Sequence, residues 1–373
     1  MKKSMLFIVL FVVMLNFSCA QDAENKVITP DSFPFTVEQL VDELQIPWGF
    51  AFLPDGSMLI TEKSGDLIHF FDEKHTKILN VPEIYQRGQG GLMDVILHPD
   101  YEKNGWLYLS YASSEGEGKG GNTAIMRAKL KDGALTDRKV LYKGEGNTTK
   151  GQHFGSRMVF DRDGYLFFSI GDRGNRDENP QDLTRDGGKI YRIMDDGSIP
   201  QDNPFVGTDG AKTAIYSYGH RNPQGLALHP ESGKVWDHEH GPRGGDEINI
   251  IEKGVNYGWP VITYGINYSG TKITDKTEME GMAQPIYQWT PSIAPSGMAF
   301  VTSDKYPGYK GSLLAGSLSF QYLERLVLEG NKVVKREKLL GDLGRVRDVR
   351  QGPDGLIYVA VEGKGIYKLV PKK

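Results

Sequence analysis

The sequence predicts an all-β chain, a six-bladed β-propeller with long loops on the central-channel face, and three observations predict it. A phrase made of a Pro, Asp or Gly turn, an alternating apolar strand and a second strand recurs six times. The 46 glycines and 19 prolines are spread over all 373 residues and not gathered into one linker, as many short strands with tight turns require. Hydrophobic residues at 39% and charged residues at 25% supply an ordinary core and exclude a disordered, coiled-coil or collagen-like chain.

The elements follow in order. Phe35–Val41 reads as a strand able to close the ring beside the C-terminal blade. Leu53-Pro54-Asp55-Gly56 turns into Met58-Leu59-Ile60, His98-Pro99-Asp100 into Trp106-Leu107-Tyr108-Leu109, and Asp161-Arg162-Asp163-Gly164 into Tyr165-Leu166-Phe167-Phe168. The later turns are His229-Pro230-Glu231-Ser232-Gly233 before Val235-Trp236, Tyr306-Pro307-Gly308 before Ser312-Leu313-Leu314, and Gly352-Pro353-Asp354-Gly355 before Leu356-Ile357-Tyr358-Val359. Radial repetition of such units hides the sheet edges. The spacing, about 45 residues at the ends and longer in the middle, gives the central blades long loops, and loops of that size in a compact β protein usually carry function.

The N-terminus is a separate object. Met1-Lys2-Lys3, an apolar run from Met5 to Leu15 and then Asn16-Phe17-Ser18-Cys19-Ala20 have the charged, hydrophobic and small-residue order of a secretory signal. Residues 1–20 are therefore set apart, 21–35 read as a polar tether, and 36–373 as the propeller domain. Cys19, the single cysteine, follows a Ser as in the lipobox of bacterial lipoproteins, with Asn16 where that motif has Leu. A lipid anchor on Cys19 and ordinary cleavage near Ala20 both stay open. The apolar run is short for a bilayer span of about 20 residues, so the mature protein is expected to be exported, either periplasmic or lipid-anchored at the cell envelope. Disulfides have no second cysteine to use. A formal charge of −4 gives no electrostatic reason to seek nucleic acid or anionic lipid.

Polar residues crowd the central loops. His153 precedes one blade strand and Asp172 follows its return, so at a propeller's mouth the carboxylate could fix the imidazole tautomer and raise its basicity; a hydrogen-bonded structural histidine is the competing reading. A denser block holds Gly219-His220-Arg221-Asn222-Pro223-Gln224-Gly225, then His238-Glu239-His240-Gly241-Pro242, Asp246-Glu247-Ile248-Asn249 and Asn256-Tyr257-Gly258-Trp259-Pro260, where glycines allow close approach and the oxygens are of the kind Ca²⁺ takes. His238 and His240 share a strand face without an evident third ligand, which disfavours zinc. Arg345 and Arg347 share a face too, as a fork for a ligand with several carboxylates or as a solvated or salt-bridged pair. Gly88-Gln89-Gly90-Gly91 lacks the Lys and the helix of a phosphate-binding loop.

In this order, His-x-x-x-Arg from His153, Ile-Gly-Asp-x-Gly from Ile170, Gly-His-Arg-Asn-Pro-Gln-Gly from Gly219, Gly-Pro-x-x-x-Asp-Glu-Ile-Asn from Gly241, Asn-Tyr-Gly-Trp-Pro from Asn256, Ala-Pro-Ser from Ala294 and Arg-x-Arg-Asp from Arg345 resemble the glucose/sorbosone dehydrogenase family. This is the family of soluble aldose sugar dehydrogenases that depend on pyrroloquinoline quinone (PQQ), and the resemblance runs from about Ile46 to Leu369. It implies oxidation of an aldose to its lactone with PQQ and calcium, and delivery of electrons to a periplasmic acceptor. His153 matches the general base and Asp172 the carboxylate that orients it, while Arg221, Asn222, Arg345 and Arg347 match PQQ contacts. The carbonyls of Gly241 and Pro242 match ligands of a PQQ-polarising calcium, Glu247 and Tyr257 match ligands of a structural calcium, and Gln89 and Tyr268 line the sugar pocket.

Two positions depart from the family pattern. Leu318-Ser319 stands where the family usually has Leu-Lys, with the Lys on PQQ, and Arg243 or Arg325 is the candidate replacement cation. Gln152 stands where glucose-specific members have Asp, which favours the broader aldose branch. A calcium-dependent lactonase and a non-catalytic sugar-binding propeller are the alternative functions on the same scaffold.

Overall fold

The computed structural model describes residues 24–27 and 33–372. The expected signal segment with Cys19 lies outside the described residues. Six antiparallel blades surround one axis. From the axis outward, blade one is Pro47–Phe52, Met58–Glu62, Leu67–Phe71 and Lys74–Lys77; blade two is Leu92–Leu97, Trp106–Ser113, Asn122–Lys131 and Ala134–Lys143. Blade three is Met158–Phe160, Leu166–Ile170, Lys189–Ile193 and Ile215–Tyr218, and blade four is Pro223–Leu228, Val235–Glu239, Asp246–Ile250 and Tyr287–Trp289. Blade five is Pro295–Phe300, Leu313–Ser317, Leu323–Glu329 and Lys332–Leu339.

Blade six takes three strands from the C-terminus, Val346–Gln351, Ile357–Val361 and Gly365–Pro371, and its outer strand, Phe35–Val41, from the other end of the chain. That pairing is antiparallel, with Phe35 opposite Pro371 and Val41 opposite Ile366. The ring therefore closes where the sequence predicts. Each of the six recurring turns joins the first and second strands of its blade.

Burial follows radial position. Met58–Glu62, Leu166–Ile170, Val235–Glu239, Leu313–Ser317 and Ile357–Val361, all second strands, are buried at every residue, because a neighbouring blade covers each face and side chains on both faces are removed from water. Lys74–Lys77, an outer strand, is exposed throughout. Six of the apolar clusters among the described residues lie one between each pair of adjacent blades. At about 25 cal/mol per Å² these clusters are the main force holding blade to blade.

Two features differ from the sequence reading or add to it. Within 21–35, expected as a polar tether, Glu24–Val27 runs parallel to Lys332–Leu339 as an edge strand, and Phe33 and Phe35 are buried. Phe35 meets Tyr306 and Tyr309 edge-on, with centroids 6.2 Å away in both cases, so aromatic packing carries the folded domain back to Phe33. Around the axis, the inner strands of blades two and six supply Asp94, Asp348 and Arg350, and Arg157 stands directly before the inner strand of blade three. Arg157 Nη1 lies 3.3 Å from Asp94 Oδ1 and 3.1 Å from Asp348 Oδ1, and Arg350 pairs with both acids. Two cations balance two buried anions there.

Candidate active site

Strand polarity alone gathers the candidate residues. First strands begin, and second strands end, at one end of the ring. Gln89, His153, Arg221, Asn222 and Arg345 precede first strands; Lys63, Asp172, Gly241, Pro242, Ser319 and Glu362 follow second strands. All of them thus come to the same mouth.

His153 adopts φ +57° and Gly155 φ +63°, so the segment before Met158–Phe160 bends back on itself. Gly171 is needed here for close approach: a Cβ on it would lie 2.5 Å from the His153 carbonyl oxygen and 2.6 Å from Asn222 Oδ1. The bend sets His153 Nδ1 2.6 Å from Asp172 Oδ1. Asp172 also accepts from the Gly174 amide (2.7 Å) and from Trp259 Nε1 (2.9 Å). Burial raises its pKa, but the His153 hydrogen bond and charge, with Arg221 and Gly174, outweigh burial and hold the carboxylate below its usual range. A carboxylate only accepts, so Nδ1 carries the proton and Nε2 is left as the basic nitrogen. Burial and then the Arg221 charge push the imidazole below 6.5, against the opposing pull of Asp172. The site presents a neutral, oriented base.

Gln89 Oε1 accepts the His153 amide at 2.7 Å, which pins the base loop to the next blade. Arg173, unassigned from sequence, lies over the Phe154 ring at 3.3 Å and donates to the carbonyls of Gly121, Lys150 and Gln152. It clamps the same loop from below.

Beside this pair is a cavity of about 410 Å³, lined in part by Trp48, Gln89, Phe154, His240, Tyr268 and Ser319. Its charged lining is Lys63, Arg345 and Arg347 against one carboxylate, Glu362. The two arginines share that carboxylate: Arg345 Nε is 2.6 Å from Glu362 Oε2 and Arg347 Nε 2.8 Å from Oε1. The salt-bridged alternative for the fork therefore holds, yet positive charge remains in excess. Lys63, which sequence reasoning missed, donates to the Gly88 carbonyl at 2.7 Å, and burial followed by the nearby Arg347 pushes its pKa down. Arg243 and Arg325, the alternative cations for the missing family Lys, do not line the cavity. Arg325 is held within blade five by Glu337 at 2.6 Å and Ser312 at 2.9 Å.

Arg221 and Asn222 sit under the mouth with buried, unpartnered donors, Arg221 Nε and Asn222 Nδ2. Buried donors without acceptors are costly and suit an acceptor-rich ligand. An anion carrying several carboxylates and quinone oxygens, as PQQ does, fits this donor set. The Gly241 carbonyl fits its expected calcium less well, because it already accepts Arg221 Nη1 at 2.6 Å; a cation at that oxygen must displace a guanidinium. Pro242 follows it in the same turn. The Tyr257 hydroxyl is engaged as well, donating to the Ile250 carbonyl (2.6 Å) and accepting the Glu252 amide (2.9 Å). Glu247 lies across the ladder from Glu239, and burial together with that neighbouring acid pushes its pKa well up. His238 and His240 direct Nε2 to the carbonyls of Gly297 (2.9 Å) and Pro295 (2.8 Å), which ties blade four to blade five. Tyr268, 74% exposed, stands at the cavity's rim.

Comparison with known proteins places this site in context. Residues 44–368 match the family model described as Glucose / Sorbosone dehydrogenase. The aldose sugar dehydrogenase YliI of Escherichia coli (strain K12) is 46% identical over 334 residues, which cover 87% of this chain and 90% of the relative. Among solved structures, the apo form of the soluble aldose sugar dehydrogenase from Escherichia coli superposes with a TM-score of 0.85 at 42% identity, over 91% of this chain and all of that one. The PQQ-bound form of an aldose sugar dehydrogenase from Streptomyces coelicolor superposes with a TM-score of 0.73 at 27% identity, over 90% of this chain and 98% of that one.

Proposed function

The chain belongs to the glucose/sorbosone dehydrogenase family, and on that premise we propose that it is a PQQ-dependent oxidoreductase converting an aldose to its lactone at the anomeric carbon. The observation that carries the reading is the 2.6 Å His153–Asp172 contact beside a cavity whose charged lining is mainly cationic. PQQ, when bound, supplies the two-electron acceptor for the hydride that leaves the anomeric carbon.

The chain's own residues do the rest. Nε2 of His153 takes the proton of the anomeric hydroxyl, and Asp172 keeps Nδ1 protonated and stabilises the imidazolium that forms. Lys63, Arg345 and Arg347 bind the carboxylates of the cofactor, with the unpartnered donors of Arg221 and Asn222 supporting its remaining oxygens. Trp48 and Phe154, buried in one small apolar cluster at the mouth, exclude water from one side. Gln89 and Tyr268 face the open part of the cavity, where a sugar would sit. The proposal includes export to the cell envelope, on the strength of residues 1–20, and a periplasmic electron acceptor.

The lactonase alternative needs free carboxylates on the channel axis, and the axial acids Asp94 and Asp348 are both ion-paired to arginine. Titrating PQQ into the protein by tryptophan quenching, then adding a panel of aldoses while following the quinone absorbance, tests the proposal. Bleaching by an aldose is expected. Failure to bind PQQ would leave the sugar-binding alternative in its place.

A further inference from the structure

Two residues beyond His238, just past the end of its strand, stands His240, and the two rings end differently. Both direct Nε2 to a blade-five carbonyl, Gly297 at 2.9 Å and Pro295 at 2.8 Å. A carbonyl only accepts, so in each ring Nε2 holds the proton and Nδ1 keeps a bare lone pair. In His238 that nitrogen is sealed inside protein without a partner. His240 lines the cavity of about 410 Å³, and its Nδ1, likewise without a hydrogen-bond partner among the described residues, is not sealed off. The proton chemistry of His153 makes no use of this nitrogen.

Most of the cavity's polar lining donates or is already engaged. Lys63, Arg345 and Arg347 are donors, Glu362 is covered by the two arginines, and Gln89 Oε1 takes the His153 amide. The hydroxyls of Ser319 and Tyr268 can turn either way. Nδ1 of His240 can only accept. Burial holds this imidazole well below 6.5, and the charges of Arg221, His238 and His153 add to that against the Pro295 carbonyl, so at neutral pH no proton turns Nδ1 into a donor. The ring also stands at the reacting end of the site. The His240 carbonyl accepts Arg221 Nη1 at 2.9 Å, and Arg221 is the charge that, after burial, lowers the His153 pKa.

We propose that His240 makes the site favour the reduced cofactor, by accepting at Nδ1 a hydrogen bond that the oxidised cofactor cannot give. The inference rests on the PQQ reading and deepens it. A quinone oxygen has only lone pairs, so beside Nδ1 it meets a second acceptor; after reduction the same oxygen is a hydroxyl and donates. The reduction balances without a further reagent: the hydride from the anomeric carbon brings two electrons and one hydrogen, and the proton that His153 takes from the anomeric hydroxyl is the second. Lys63, Arg345 and Arg347 hold carboxylates that are the same in both redox forms, so they bind both alike. Only a contact that differs between the two forms shifts the balance between them.

Oxidised PQQ and chemically reduced PQQ are each titrated into wild type, His240→Leu and His240→Gln by anaerobic calorimetry. Leucine has no acceptor; glutamine can keep a donor on Pro295 with an oxygen beside it. One neutral hydrogen bond is worth about three- to tenfold, so His240→Leu should bind reduced PQQ about three- to tenfold more weakly and oxidised PQQ no more weakly than wild type. That change in ratio lowers the midpoint potential of the bound two-electron couple by about 15–30 mV, and His240→Gln should recover most of it. In wild type the ¹⁵N resonance of His240 Nδ1 should move toward the hydrogen-bonded range with reduced PQQ and not with oxidised PQQ, which decides the matter if His240→Leu does not fold. Equal weakening of both forms, as a merely structural bond to Pro295 would give, an unchanged ratio in His240→Leu, or an Nδ1 signal indifferent to redox state would each overturn the role of His240 and leave the PQQ reading standing. Failure of wild type to bind oxidised PQQ would overturn that reading, and this inference with it.

Discussion

Replacing Asp172 with Asn changes one atom and separates the role of charge from that of shape. The carboxylate receives three donors: His153 Nδ1 and the Gly174 amide on Oδ1, and Trp259 Nε1 on Oδ2. An amide offers an acceptor at one end only. If its oxygen stays with His153, its NH₂ faces the indole N–H and that hydrogen bond is lost. If it flips, NH₂ faces Nδ1, the proton moves to Nε2 and the base is gone. Either orientation removes the charge that stabilises a developing imidazolium, and the loss is expected to be about 10²- to 10⁴-fold in the rate of sugar oxidation. Stability should fall by about 1.5–3 kcal/mol, the range for a charge-assisted hydrogen bond. Losing the carboxylate also removes an interaction that raises the His153 pKa, so the defect should persist at every pH above 6.5 and protonation cannot explain it. Single-turnover mixing of PQQ-loaded protein with saturating aldose, across pH, measures this. A variant within threefold of wild type would refute the orienting role.

Other expectations follow from the same geometry. Lys63→Met should weaken PQQ binding about ten- to a hundredfold, the range for one lost charge-assisted contact, and Ser319→Lys should restore part of it; quenching titrations of the single and double variants measure both, and unchanged affinity in Lys63→Met would remove it from the cofactor site. His238 is held down to about 4 by burial. Unfolded, it takes a proton below about 6.5, so its contribution is whole above that pH and is lost as pH falls toward 4, by about 3 kcal/mol. Thermal melts of wild type and His238→Gln over that window should diverge, and parallel curves would contradict this. Tyr306→Phe removes a hydroxyl that donates to the Leu369 carbonyl (2.5 Å) and accepts the Ile357 amide (2.8 Å); denaturant unfolding should show a loss of about 2 kcal/mol.

The propeller was legible because its signal is repeated. Six turns with the same chemistry each mark the joint between first and second strands, and the alternating residues around them do not suit a helix. The contact between His153 and Asp172 was legible because a His and an Asp flanking one hairpin must meet at the same end. Lys63 and Glu362 were not, since Glu62-Lys63 and Val361-Glu362 look like ordinary strand ends. A positional signal existed: Lys63, Asp172, His240, Ser319 and Glu362 all stand one or two residues past a second strand, so blade register points to them where motif does not. Whether Arg243 or Arg325 could stand in for the missing Lys was not legible, because sequence position says nothing about blade face or radius. The bare nitrogen of His240 is a property of three dimensions, invisible until Nε2 is found on the Pro295 carbonyl.

The outer strand of blade six has a kinetic meaning. Its bonds join residues at the two extremes of the chain: Thr36 Oγ1 reaches the Val370 carbonyl over 334 positions and Gln39 Nε2 the Lys364 carbonyl over 325. Closing so large a loop adds little equilibrium penalty, because the entropy grows only with the logarithm of length, about 0.6 kcal/mol per doubling. It does raise contact order, which slows folding. Five blades can assemble from local hairpins as the chain lengthens, but the sixth must wait for the final residues to arrive. A chain cut short by ten residues at its C-terminus would therefore forfeit the seam of the whole ring along with one strand, leaving the inter-blade faces at 33–41 and 346–361 open to water and to one another in neighbouring molecules.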